Sequence, residues 1–176
     1  MSENKIIFKP FTKKDIPVFL SWSKKAHVKN IWFADSYESI EYYQKKAANN
    51  NGYDYPFIIY LGNEPIGYIQ GSDLYAYRIK CPAPKGVFIN EEPGTFCLDL
   101  FIGEENFLNQ GYGTLIVKAF INKIFDEFHA KKILIDPASS NKRAIRCYEK
   151  AGFKFLREEF DGANECYIMQ ITNDGI

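Results

Sequence analysis

Short runs of apolar residues recur along the chain and alternate with segments whose apolar residues follow helical spacing. Two runs, 55–61 and 65–71, flank the turn sequence Gly62 to Glu64 and predict a β-hairpin. The run 95–102 predicts a buried central strand that contains one carboxylate, Asp99. Such alternation of strand-length runs with helical segments is typical of a protein in which helices pack on a sheet.

Four segments have the pattern of helices, and they are residues 15–25, 36–49, 113–128 and 141–151. Tyr37 lies on the apolar face of the second. The third and longest is predicted to bury one stripe, formed by Leu115, Ile116, Ala119, Phe120, Ile124 and Phe125. The fourth is expected to begin at a cap supplied by Ser139 or Ser140 and to end at Gly152, which readily adopts the left-handed conformation.

The remaining segments complete the predicted architecture. Strands are expected at 6–9, 132–135, 154–159 and 166–172, whereas 27–35 is irregular and 72–94 is expected to be an extended loop or an additional hairpin. The resulting order predicts the α/β (α+β) class, with a central mixed, twisted sheet of about seven strands flanked by about four helices. The chain of 176 residues has no recognisable linker, so we expect a single domain over residues 1–176.

Charge and hydropathy exclude several classes of function. The 22 basic and 22 acidic side chains cancel, and without a long basic stripe we expect no binding to nucleic acid. No apolar run approaches the roughly 20 residues that span a bilayer, and the first residues lack the apolar core of a signal peptide. We therefore expect a cytoplasmic protein that does not bind a membrane.

Cysteine and histidine are too sparse for a metal centre. The only residues of these types are Cys81, Cys97, Cys147, Cys166, His27 and His129. No CxxC spacing occurs, which makes a zinc site or a disulfide framework improbable. The expected metal content is none.

The stretch from Thr95 to Gly113 contains the first candidate for chemistry. A buried strand leads through a polar run to Gly111 and Gly113, immediately before the longest predicted helix. Glycines at a helix N-terminus let several backbone N–H groups surround a phosphate at the positive end of the helix dipole. On its own this turn is a weak signal, since a Rossmann fingerprint requires a third glycine and a P-loop requires a following Gly-Lys-Ser/Thr.

A second motif makes the first one specific. The pattern Asn-x-x-Ala-x-x-x-Tyr-x-x-x-Gly-Phe, from Asn141 to Phe153, resembles the signature of the GNAT acetyltransferase superfamily. Residues 108–114, LNQGYGT, resemble the acetyl-CoA pyrophosphate loop of that superfamily, although Leu108 stands where Gln or Arg is usual. The resemblance implies the GNAT fold and acetyl-CoA as the acyl donor. The implied cofactor-binding residues are Leu100, Phe101, Ile102, Gln110, Gly111, Tyr112, Gly113, Thr114, Asn141, Ala144 and Tyr148.

Within that superfamily the chain resembles the aminoglycoside 6′-N-acetyltransferases. The block 136–153, DPASSNKRAIRCYEKAGF, is similar to the C-terminal block of that group, and residues 63–70 are similar to its central hairpin. The resemblance implies that Trp32, Asp99 and Asp136 bind the substrate, and Tyr68 and Gln70 are candidates for the wall of the substrate pocket. Tyr37 is a further candidate for the pocket wall, and each aromatic candidate is equally compatible with ordinary core packing.

Acetyl transfer to an amine needs a base and a proton donor. Asp99 is the expected base, acting directly or through a water, and Tyr148 is expected to protonate the departing thiolate. A backbone N–H near Leu100 is expected to polarise the thioester carbonyl. Each residue also has a structural alternative: Asp99 as a strand-end acid bound to loop amides, Asp136 as the start of a turn, and Tyr148 as a core residue.

Several acceptors are compatible with these motifs. We expect an acetyl-CoA-dependent N-acetyltransferase that modifies a primary amine of a cationic small molecule, with the 6′-amine of an aminoglycoside as the leading candidate. A hydroxylamine or lysine-type acceptor in siderophore assembly, a protein N-terminus, and a non-catalytic acyl-CoA-binding module are the alternatives. The sequence predicts either a monomer or a homodimer.

Overall fold

The computed structural model describes residues 5–33, 40–48 and 51–173, and within these residues seven strands form one mixed sheet. The strands are β1 (Ile6–Pro10), β2 (Asp54–Leu61), β3 (Glu64–Asp73), β4 (Thr95–Ile102), β5 (Lys132–Ile135), β6 (Lys154–Phe160) and β7 (Glu165–Thr172). Their spatial order is β1-β2-β3-β4-β5-β7-β6, and only the β4–β5 pair is parallel. The predicted mixed sheet of about seven strands is confirmed.

Six α-helices accompany the sheet in the described residues, rather than the predicted four. They are α1 (Ile16–Ser23), α2 (Ala26–Trp32), α3 (Ile40–Ala48), α4 (Leu74–Lys80), α5 (Tyr112–Phe128) and α6 (Lys142–Ala151). The prediction of an irregular segment at 27–35 was wrong for 27–32, which belong to α2. The first part of the helix predicted at 36–49, including Tyr37, lies outside the described residues.

The predicted loop or hairpin at 72–94 is also replaced by other structure. Residues 72 and 73 complete β3, and the Asp73 carboxylate caps α4 by accepting a hydrogen bond from the Ala76 N–H at 2.9 Å. Turns after α4 then bring Phe88 back onto the sheet, where it is buried with Leu134 and Ile168. The insert therefore covers the face of β5 and β7 that is turned away from α5.

The largest hydrophobic cluster lies between the sheet and helices α5 and α6. In α5 the buried residues are Ile116, Val117, Phe120, Ile121, Ile124 and Phe125. The predicted stripe was wrong at Leu115, which is 54% exposed, because the buried face is rotated toward Val117 and Ile121. A second cluster, rich in aromatic residues, packs α1 to α3 on the opposite face of the sheet.

The parallel joint between β4 and β5 is short. Only three residue pairs connect the strands, from Thr95 with Lys132 to Cys97 with Leu134. The same register would place Asp99 beside Asp136, two positions beyond the last pair. The two acids therefore lie where the strands separate, at the carboxyl ends where open α/β sheets bind their ligands.

Candidate active site

A cleft of about 710 Å³ begins where β4 and β5 separate. Its walls come from β4, the start of α5, the residues after β5, helix α6 and one side of α2. Asp99, Asp136 and Tyr148 all line it. The fold thus brings together the three side chains for which the sequence predicted chemistry.

The two aspartates form an electrostatically coupled pair. Burial, together with the charge of Asp99, raises the pKa of Asp136 to about 7. Asp99 accepts a hydrogen bond from the side-chain Nε2 of Gln70 at 3.2 Å. Since two neighbouring carboxylates resist carrying two negative charges, the pair favours a cationic ligand that would restore the ionisation of Asp136.

A third carboxylate, Asp161, lines the same cleft and was missed at the sequence level. Its Oδ1 accepts hydrogen bonds from the backbone N–H groups of Ala163 and Asn164, both at 2.7 Å. Although burial acts to raise it, these hydrogen bonds keep the pKa of Asp161 below its usual value. The pattern Asp161-Gly162 indicated only a turn, so sequence carried no signal for this charge.

The N-terminus of α5 has the geometry of an anion site. Gly111 is the N-cap residue with φ of 84°, and a Cβ built there would meet no atom within 4 Å. The open space in front of a 17-residue helix, at the positive end of its dipole, suits a pyrophosphate. Gly113 packs closely against α6, since a Cβ on it would lie 3.3 Å from the Cys147 Sγ.

The cofactor-binding residues predicted from the resemblance divide into two groups. Nine of them line the cleft: Leu100, Phe101, Ile102, Gly111, Gly113, Thr114, Asn141, Ala144 and Tyr148. Gln110 and Tyr112 are not among its lining residues: the Gln110 side chain donates to the Asn106 carbonyl, and the Tyr112 ring packs on Phe107. Their contact with acetyl-CoA stays a prediction.

Asn141 has a structural task as well. Its side-chain Oδ1 caps α6 by accepting a hydrogen bond from the Ala144 N–H at 3.1 Å, so the predicted cap at Ser139 or Ser140 was wrong.

Helix α6 also places three basic residues on the cleft that the sequence reading did not single out. These are Arg143, Arg146 and Lys150. Their spacing follows one face of the helix, beside the anion site.

The residues predicted to bind the substrate also fall into two groups, those that line the cleft and those that do not. Trp32 lines the cleft, and its indole Nε1 donates to the Tyr43 hydroxyl at 2.9 Å. Tyr68 and Gln70 are 0% and 7% exposed, and neither is among the residues that line the cleft in the described part of the chain. They lie behind Asp99, so direct substrate contact from either side chain stays an untested prediction.

Tyr148 is a buried, neutral phenol in the cleft. Burial, with further contributions from Cys147, Asp99 and Asp136, raises its pKa well above the usual value for a phenol. The hydroxyl therefore remains protonated at neutral pH.

Comparison with known proteins identifies the family. Residues 12–160 match the family model of the acetyltransferase (GNAT) domain. The chain belongs to the GNAT acetyltransferases. The family and fold predicted from the two motifs are therefore confirmed.

Two kinds of relative support this assignment. Aminoglycoside N(6′)-acetyltransferase type 1 from Klebsiella pneumoniae is 30% identical over 162 residues, which are 87% of this chain and 76% of the relative. Among solved structures, AAC(6′)-Ib in complex with paromomycin and acetyl-CoA aligns with a TM-score of 0.83 and 27% identity, covering 97% and 94% of the two chains. The same enzyme with coenzyme A and kanamycin aligns with a TM-score of 0.81, covering 96% and 95%.

Within residues 5–33, 40–48 and 51–173, no group of three or more His, Cys, Asp or Glu side chains is arranged to hold a metal ion. In the same part of the chain, no helix has the length and apolar character needed to cross a bilayer.

Proposed function

We propose that this GNAT acetyltransferase uses acetyl-CoA to acetylate a primary amine of a cationic small molecule, most specifically the 6′-amine of an aminoglycoside. The amine attacks directly in a ternary complex. The relatives that act on aminoglycosides support this proposal. The lining of the cleft supports it as well, because it includes three carboxylates that can attract a cation and a helix N-terminus that suits a phosphate.

The observation that carries the proposal is the position of Asp99 and Asp136 where β4 and β5 separate. An alkyl ammonium has a pKa near that of Lys, about 10.4, and must lose a proton before it can attack. The carboxylate pair binds the cation and provides a base within the same site. The open N-terminus of α5 lies across the same cleft.

Each side chain then has a defined task. Bound acetyl-CoA supplies an acetyl thioester; Gly111, Gly113 and the N-terminus of α5 bind its pyrophosphate. Asp99 accepts the proton of the amine, directly or through a water, while Asp136 and Asp161 attract the cationic substrate. The backbone N–H near Leu100 polarises the carbonyl, and the Tyr148 hydroxyl donates a proton to the leaving sulfur.

A thiol-release assay with kanamycin, tobramycin and polyamines tests this function. We expect turnover with at least one aminoglycoside, and a loss of kcat of about 10²-fold or more in Asp99→Asn. Calorimetry should find acetyl-CoA affinity unchanged in that variant. Unchanged turnover in Asp99→Asn would remove Asp99 as the base.

The same assay separates the other acceptors. Turnover with N-hydroxylysine or N-terminal peptides, and none with aminoglycosides, would assign a different acceptor to the same fold. Tight acetyl-CoA binding without transfer to any amine would indicate a binding module. A cytoplasmic location and a monomeric or homodimeric state remain our proposals, and size-exclusion chromatography with light scattering tests the second.

A further inference from the structure

A buried polar cluster lies behind Asp99, on the side away from the cleft. At its centre is Lys46 of α3, whose side chain is only 4% exposed. The Lys46 ammonium lies 3.3 Å from Asp54 Oδ2 and donates to Gln70 Oε1 at 2.8 Å. It also lies 4.5 Å from the centre of the Tyr42 ring. Burying a charge costs free energy, and a buried charge persists only where partners compensate it. The position of Lys46 therefore suggests a specific role for its charge.

Lys46 and Tyr68 determine which way the Gln70 amide points. The amide oxygen accepts from the Lys46 ammonium and also from the Tyr68 hydroxyl at 2.9 Å. An ammonium group can only donate, so a rotated amide would set its NH₂ group against other donors. The oxygen therefore stays on the Lys46 side, and the NH₂ group must face Asp99 Oδ2.

We propose that Lys46, Tyr68 and Gln70 form a positioning network that fixes the orientation of the Asp99 carboxylate and favours its ionised form. This inference rests on the proposed role of Asp99 as the base. The Gln70 N–H donates to the charged form of the acid, and the Lys46 cation lies one side chain further away. Both effects stabilise the negative charge on which proton abstraction depends.

Other groups near Asp99 act in the opposite direction or are neutral. Asp136, which follows β5, and Tyr148 of α6 interact electrostatically with Asp99, and Cys97 does so from the same strand. Asp136 disfavours a second negative charge, and Cys97 and Tyr148 are uncharged at neutral pH. Asp54 lies 3.3 Å from Lys46 and opposes the effect of its charge, so the Gln70 hydrogen bond is the direct contribution of the positioning network to Asp99.

Three variants and a control test the network. Lys46→Met removes the charge while keeping most of the stem, Gln70→Leu removes the amide, and the double variant combines them. Asp54→Asn is the control, because it changes the ion-pair partner of Lys46 while leaving Lys46 and Gln70 in place. Asp54 also accepts a hydrogen bond from the Ser72 hydroxyl at 2.6 Å. Since Lys46→Met leaves Asp54 without its cation, Lys46→Met/Asp54→Asn provides a second form with both charges removed.

Two measurements give the readout: steady-state kinetics, and a ¹³C NMR titration of the Asp99 carboxyl carbon. We expect Lys46→Met and Gln70→Leu each to lower kcat about tenfold at pH 7, with KM for acetyl-CoA within twofold of wild type. The Asp99 titration should move to higher pH by half a unit or more, because the ionised form loses stabilising partners. Lys46→Met/Gln70→Leu should lose no more kcat than the more affected of its two single variants, since both changes act through one hydrogen bond. Lys46→Met/Asp54→Asn should keep the defect, and Asp54→Asn should lower the melting temperature without raising the titration midpoint.

Two results would overturn the inference. The first is a Lys46→Met protein whose Asp99 titration and kcat match those of wild type. The second is a loss of kcat in Lys46→Met/Gln70→Leu that equals the product of the losses in the two single variants. If wild type acetylates no acceptor, the proposed function fails, and the NMR titration alone then decides whether the network acts on Asp99.

Discussion

Asp136 and Tyr148 line one cleft, and burial raises the pKa of both, with different consequences for function. For Tyr148 the raised pKa keeps the phenol neutral, so any proton transfer from it requires negative charge to develop close to its hydroxyl. For Asp136 it brings the titration to about pH 7, so a cationic ligand competes with a proton for the same carboxylate. The spacing of Asn141 and Tyr148 predicted one partner of this pair, and the end of a buried strand predicted the other.

Replacing Tyr148 with Phe removes only the hydroxyl, and the ring contact with Phe153 at 5.9 Å remains possible. We expect kcat to fall by about 10- to 100-fold, because the leaving sulfur loses its proton donor, whereas the melting temperature changes little. Stopped-flow thiol release and thermal denaturation measure the two effects. A variant with wild-type kcat and a lowered melting temperature would make Tyr148 a core residue only.

Asp136→Asn should separate stability from activity. The folded-state pKa of Asp136 is raised, so its contribution favours the fold at low pH and is lost as pH rises through about 7. The amide of Asn does not ionise, so the variant avoids the loss of stability that follows ionisation of Asp136. We expect it to melt about 2–4 °C higher than wild type at pH 8, with a smaller difference at pH 5. Its KM for a cationic substrate should rise. An equal stability change at both pH values would contradict the raised pKa.

At the residue scale, the sequence predicts what local patterns encode and misses what only the fold brings together. The Asn141 and Tyr148 spacing and the two glycines were visible because each depends on one helix terminus or one helix face. Asp161 and the contact of Gln70 with Asp99 were not visible. Both depend on strand partners far apart in the chain.

At the scale of elements, the N-terminus of α5 is the best-defined feature of the cleft. It suits an anion because a 17-residue helix begins at the cleft, with a glycine in the left-handed conformation at its N-cap. By contrast, α2 and α4 each have seven residues, which is about two turns. So few turns give a weak periodic signal, which is why the sequence indicated irregular structure at 27–35 and a loop or an additional hairpin at 72–94.

Gly111→Val tests the anion site, and Gly86→Val is its matched control. Both glycines have positive φ, 84° and 106°, and at both an added Cβ would meet no atom within 4 Å. The two variants should therefore lose similar stability from backbone strain. We expect only Gly111→Val to lose acetyl-CoA binding, by 100-fold or more in calorimetry, because its side chain enters the space for the phosphate. Equal affinities in the two variants would contradict the assignment.

At the scale of the whole molecule, a net charge of zero conceals a strong local separation of charge. Asp136 interacts electrostatically with Asp99 and Asp161, and three basic side chains line the same cleft. Composition alone excluded a polyanion-binding surface, but it could not reveal this separation, because it depends on where β5, α6 and the β6–β7 turn meet. The field at the cleft is therefore a property of the fold.

Salt should weaken the encounter with a polycationic substrate. We expect kcat/KM for kanamycin to fall about tenfold between 50 and 500 mM NaCl, because ions screen the carboxylates over less than about 10 Å. A substrate with one amine should respond less. Asp161→Asn should reduce the salt dependence for kanamycin, and a salt response independent of substrate charge would show that steering by the carboxylates is unimportant.

The three-pair joint between β4 and β5 also determines how the molecule can deform. Hydrogen bonds across the sheet are fewest there, yet the main hydrophobic cluster continues beneath the joint from Phe57 to Met169. We expect the sheet to open most readily along this line, with the continuous core limiting how far the two sides can separate. Amide protons of β5 beside the joint should exchange with solvent sooner than those of β3, and a ligand bridging both strands would slow them.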